Sequence, residues 1–188
     1  METQEFQTHL PIYWYSLVAK ERSNCQAAMH ELQIVLQSSY PQLPRLRLLE
    51  LSSEEADHIP DYINNLKGGY VDPQMNQNPL LGQRFFAFCK GEESFVSAAR
   101  LSNPDAEWGP AERGVFALAW EPGNKFLIWH EVLHLLYAQD CYDSKGRTTC
   151  GEDQCIMQYI PNSANCGESI RICGNNITQI IKNLGEQI

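Results

Sequence analysis

The chain has 188 residues, 43% of them hydrophobic and 20% charged, which is enough for one domain with its own core and too short for two comfortable ones. Its 14 basic and 23 acidic side chains leave a net charge of -9, which argues against nucleic acid or an anionic membrane as the main partner. There is no run of about 18 apolar residues for a membrane span, and the opening METQEFQTHLPIYWYS lacks the basic start and apolar core of an export signal. A cytoplasmic protein is expected, with secretion as the alternative if its cysteines form disulfides.

In chain order, PIYWYSLVA (11 to 19) is aromatic and branched and predicts a strand, and residues 21 to 39 carry Ala28, Leu32, Val35 and Leu36 at helical spacing. RLRLLEL (45 to 51) is a second strand. Ser52 or Ser53 before Glu55 makes a capping box for a short helix that Pro60 limits. Residues 67 to 83, rich in Gly, Pro and Asn, predict a long loop. RFFAFCK (84 to 90) and SFVSAARL (94 to 101), with only GEE between them, predict a hairpin. A loop over 102 to 114 leads to a strand at 115 to 121, and then PGN delivers the chain into an apolar helix. A cysteine-rich irregular stretch follows, then a last helix over 176 to 186. This order predicts an α+β or α/β sandwich in which a mixed, twisted sheet of about five strands carries two long helices, with the final helix against the sheet. The whole of 1–188 is expected to be one domain, divided into 1–137 and 138–188.

The apolar helix contains LIWHEVLHLL. His130 and His134 are four apart, so they share one helix face and can hold one metal between them. Glu131 beside them completes H-E-x-x-H, where it serves as general base of a zinc peptidase. The plainer reading is a buried helix with two histidines at its polar edge. Against it, burying two histidines and a glutamate without partners is costly, and a metal removes that cost. A catalytic zinc also needs a third protein ligand. On a continuing helix, residue 140 would lie about 9 Å beyond His134, so the chain must turn after about Tyr137.

The run His130-Glu131-x-x-His134-x-x-Tyr137-x-x-Asp140 resembles the metzincin pattern H-E-x-x-H-x-x-G-x-x-H/D. The resemblance implies Asp140 as third zinc ligand, as in snapalysin-like metzincins, with Asp143, Glu152 and Glu168 as alternatives. Tyr137 stands where those proteins place glycine, because a left-handed turn is expected there. QCIMQYIP (154 to 161) resembles the Met-turn, with Met157 as the base of the pocket, and Tyr159 sits where some metzincins carry a tyrosine that reaches the zinc or the oxyanion. Cys141, Cys155 and Cys173 resemble archaemetzincins, which hold a second, structural zinc with four thiolates. The terminal C-x-x-C of that family is replaced here by GNNI after Cys173, and Cys150 and Cys166 are present instead. Four of Cys141, Cys150, Cys155, Cys166 and Cys173 would close a tetrahedral site, and one or two disulfides are the competing reading. Cys25 and Cys89 are expected to be plain buried thiols.

The resemblance implies a Zn²⁺-dependent metallopeptidase that hydrolyses peptide bonds in a peptide or protein substrate, with substrate added as a strand along SFVSAARL, and a monomer is expected. Few residues precede the first strand, so no pro-segment is expected. The alternative is a catalytically inactive zinc-binding or interaction module on the same scaffold.

Overall fold

A computed structural model describes residues 9–57, 84–88, 97–100, 115–119, 125–143, 145–151, 155–158 and 170–185. The loops expected at 67–83 and 102–114, and Cys89, lie outside the described residues. The elements are β1 (Leu10–Ser16), a 3-10 turn (Ala19–Glu21), α1 (Arg22–Ser39), β2 (Leu46–Glu50), α2 (Ser53–Ala56), β3 (Arg84–Phe88), β4 (Ser97–Arg100), β5 (Val115–Ala119), α3 (Lys125–His134) and α4 (Gly174–Gly185). None of the described helices is long and apolar enough to cross a membrane.

β1 forms because its branched and aromatic residues alternate between faces. Ile12, Trp14 and Ser16 are buried, and the residues between them are half-buried. α1 buries Cys25, Ala28, Met29, Leu32 and Leu36, a stripe at i, i+3, i+4, i+7 and i+11. Each of the larger of these side chains contributes roughly 1.5–3 kcal/mol by leaving water. A parallel pair needs a crossover, and α1 supplies it between β1 and β2, which run in register from Leu10↔Leu46 to Trp14↔Glu50. The capping box is formed: Ser52 Oγ accepts the Glu55 N–H while the Glu55 carboxylate accepts the Ser52 N–H.

The strands stand in the order β2-β1-β3-β5-β4, parallel except for β4 against β5. The hairpin expected from 84–90 and 94–101 is therefore not made. β5 arrives later in sequence and takes the place between them, pairing in parallel with β3 from Arg84↔Val115 and antiparallel with β4 from Ser97↔Ala119. Short spacing favours a hairpin only when no stronger partner competes, and the apolar VFALA strand is that partner for RFFAF. β4 is left at the edge of the sheet.

α3 packs on α1 and on β3, β4 and β5. Every residue from Leu127 to His134 is buried, as an all-round apolar helix requires. Trp129 anchors it: the fully buried indole Nε1–H donates to the Ala28 carbonyl at 2.8 Å. At the helix start, the Lys125 ammonium pairs with Glu31 of α1 at 2.9 Å.

α4 departs from expectation in position. It makes no extensive contact with the described strands. Instead, Asn176 in its first turn binds the segment after α3. The chain entering α4 is held by Tyr40 at the end of α1, whose hydroxyl accepts the Ile172 N–H at 2.9 Å and donates to the Ile170 carbonyl at 3.3 Å. The apolar residues Ile180 and Leu184 then join the common core.

Candidate metal centre

The site begins where α3 ends. The Tyr137 N–H binds the His134 carbonyl at 2.9 Å and the Ala138 N–H binds the Leu133 carbonyl at 3.2 Å, the paired bonds of a Schellman cap. That cap needs a left-handed residue, and Tyr137 occupies it with φ 68°. A bulky residue resists this conformation by roughly 1–2 kcal/mol. The turn expected after α3 is thus made without glycine, and it folds residue 140 back toward the histidines.

Both imidazoles are oriented through the ring nitrogen that faces away from the site. His130 Nδ1 lies 3.0 Å from the Ile156 carbonyl and His134 Nδ1 2.8 Å from the Ala138 carbonyl. A carbonyl only accepts, so each Nδ1 carries the proton, and each neutral ring turns a bare Nε2 lone pair inward. The two Nε2 atoms are 3.2 Å apart, and Asp140 Oδ1 lies 3.2 Å from His130 Nε2 and 3.3 Å from His134 Nε2. Three acceptors so close repel one another unless a cation sits among them. A tetrahedral zinc with bonds of about 2.0–2.1 Å sets its ligands about 3.3–3.4 Å apart. The observed triangle matches that spacing.

The electrostatics agree with it. Burial opposes charge on Asp140, but with protons in place of a metal on the two Nε2 atoms, the hydrogen bonds and charge of the histidines outweigh it and hold the carboxyl well below the usual carboxylate range. Burial likewise lowers the His134 pKa, yet Asp140 and Glu131 together leave it raised. The cluster favours positive charge at its centre. Glu131 is 2% exposed, and its Oε1 stands 3.8 Å from His130 Nε2, at the margin of the triangle.

A second cluster lies beside the first. Cys141, Cys150, Cys155 and Cys173 bring their sulfurs within 4.8 Å of one another. Cys141 Sγ is 3.6 Å from Cys155 Sγ and 3.5 Å from Cys173 Sγ. Zinc–sulfur bonds of about 2.3 Å in a tetrahedron imply sulfurs about 3.8 Å apart, so these residues too fit a metal. No cysteine among the described residues is in a disulfide. Cys155 ionises most readily: the Cys141 hydrogen bond, with backbone N–H groups of Met157 and Cys173, outweighs burial and brings it down to about 5. Burial pushes Cys173 up to about 11. Cys25, 1% exposed on the buried face of α1, is the plain buried thiol expected.

Residues 155–158 make a turn, the Gln158 N–H reaching the Cys155 carbonyl at 3.3 Å, and Met157 in it is fully buried. The same short segment serves both clusters, since Cys155 belongs to one and the Ile156 carbonyl orients a ligand of the other. Asp143 is turned elsewhere, to Arg147. Tyr159, Cys166, Glu152 and Glu168 lie outside the described residues. Three groups here are not readable from the sequence. The carbonyls of Ile156 and Ala138 carry no residue signature, and Asn176 looks like an ordinary polar residue at a helix start; its only signal is its place three residues after Cys173.

No family model and no curated protein matches the sequence. Among solved structures the chain is similar to metalloproteinase-II from Bacteroides fragilis, with a TM-score of 0.50 and 13% identity, over 94% of this chain and 53% of that one. The chain spans about half the length of that protein. At such identity the likeness is one of fold, and the fold is metallopeptidase-like.

Proposed function

We propose that the chain is a zinc-dependent metallopeptidase of metzincin type. The observation that carries this reading is the convergence of His130 Nε2, His134 Nε2 and Asp140 Oδ1 at 3.2–3.3 Å with Glu131 buried at their margin. These three residues would hold the ion, which when bound supplies Lewis acidity toward a scissile carbonyl and acidifies water. Ile156 and Ala138 fix the imidazoles, so that little reorganisation is needed at the moment of reaction. Glu131 takes the proton of the attacking water and delivers it to the leaving amine. The turn at 155–158 serves as the Met-turn, with Met157 as the floor of the pocket, and Tyr159 steadies the developing oxyanion. β4, at the sheet edge, pairs with an extended substrate. The four cysteines hold a second zinc in a closed, structural shell.

The test is cleavage of a mixed peptide library, followed by mass spectrometry. Glu131→Ala is expected to retain metal and to cleave at least about 100-fold more slowly than the parent, the usual worth of a general base. Equal rates would rule out the mechanism. A metal-loaded parent that cleaves nothing would favour the inactive scaffold instead.

A further inference from the structure

We infer that Asn176 is a positioning residue for Asp140, tying the histidine site to the thiolate cluster; this rests on the metal-site reading above. Asn176 is 3% exposed, and its side-chain amide makes three hydrogen bonds. Oδ1 accepts the Gln139 N–H at 2.7 Å, while Nδ2 donates to the Gln139 carbonyl at 2.9 Å and to Cys141 Sγ at 3.2 Å. The orientation of the amide follows from this pattern, since the flipped group would set its oxygen against a carbonyl and a sulfur. Its backbone N–H also points at Cys173.

These bonds bracket Asp140. On its N-terminal side, Gln139 is clasped at both backbone polar atoms by one side chain. On its C-terminal side, Cys141 donates its N–H to the Met157 carbonyl at 2.7 Å and accepts the Thr149 N–H at 2.8 Å. Asp140 itself is the most exposed of the three ligands, its side chain 41% exposed against 5% and 9% for the histidines. It also follows a turn strained at Tyr137. A ligand on such a segment has little packing of its own to hold it, so its place depends on the backbone either side. Asn176 supplies that restraint on one side, and through Cys141 passes the order of the cluster to the histidine site.

The test compares metal release from the full-length, zinc-loaded parent, Asn176→Ala and Asn176→Asp, using a chromogenic chelator and native mass spectrometry, with cobalt(II) spectra to tell nitrogen–oxygen from all-sulfur coordination. Asn176→Ala is expected to keep the thiolate-bound metal while releasing the histidine-bound one about 10–100-fold more readily, as loss of an outer partner does. Asn176→Asp keeps the acceptor for Gln139 alone and should fall between parent and alanine variant. Parental retention of the histidine-bound metal in Asn176→Ala would overturn the inference. If the alanine variant fails to fold, Asn176→Asp decides: selective loss at the histidine site supports the inference, while parental retention, or loss of both metals together, overturns it. In parallel, His134→Ala must remove one metal from the parent. A parent with no histidine-bound metal would overturn the site reading as well, whereas the preceding outcomes overturn the Asn176 inference alone.

Discussion

At Tyr137 two effects oppose each other, and their sizes decide the outcome of a mutation. A left-handed tyrosine costs roughly 1–2 kcal/mol that glycine would recover. The ring, however, is only 9% exposed, and removing a large buried aromatic side chain costs about 3–5 kcal/mol. Tyr137→Gly is therefore expected to lower stability by roughly 2 kcal/mol in urea unfolding although it relieves the backbone; a gain in stability would show that the ring contributes little. Cys25 gives a second residue-scale prediction. Burial, then the charge of Glu50, pushes its thiol up from 9.0 to about 12. Because the folded value lies above the unfolded one, its contribution is whole below pH of about 9 and is lost as pH rises toward 12. Cys25→Ala should thus lose stability less steeply than the parent over that window, by up to about 1.4 kcal/mol per pH unit; parallel slopes in urea unfolding at stepped pH would contradict it. At this scale much was legible. His130, Glu131 and His134 follow from helical spacing, while Asp140 came from the metzincin resemblance, the helix geometry requiring only that the chain turn. What stayed hidden were groups that act through the backbone, the Ile156 and Ala138 carbonyls, and Asn176, whose partners lie far off in sequence.

Among elements, α3 carries the site and α1 holds α3 in place. The link most open to test is the Trp129 indole on the Ala28 carbonyl at 2.8 Å. Trp129→Phe removes this bond while the Ala28 carbonyl keeps its helical one, costing about 0.5–1.5 kcal/mol, and the melting temperature should fall by about 1–6 °C, at about 2–4 °C per kcal/mol for a chain of this size. An unchanged melting temperature would mean that the anchor is packing alone. The positions of strands and helices were readable because period and branching are local properties. The partnership of strands was not: β5 enters between β3 and β4 because of what it meets in three dimensions, and the short GEE connection points to the wrong neighbour. The final helix misleads for the same reason, since its amphipathic face says that it packs but not against what.

For the whole molecule, the two clusters meet in adjacent residues, Asp140 and Cys141, and in the turn that follows Cys155. Segments 138–143 and 155–158 have little regular structure, so ions held by the two groups of ligands would act as cross-links for the C-terminal part of the chain. Ligand bound at about 1,000 times its dissociation constant stabilises by about 4 kcal/mol. Chelation is then expected to lower the melting temperature by on the order of 10 °C; an identical melting curve with and without chelator would contradict this structural role. The most direct test of the central claim is the zinc content of the purified protein and of His134→Ala, by elemental analysis. The account predicts two zinc ions per chain in the parent and one in the variant, from the two groups of ligands; a parent without zinc, or a variant that keeps both ions, would contradict it.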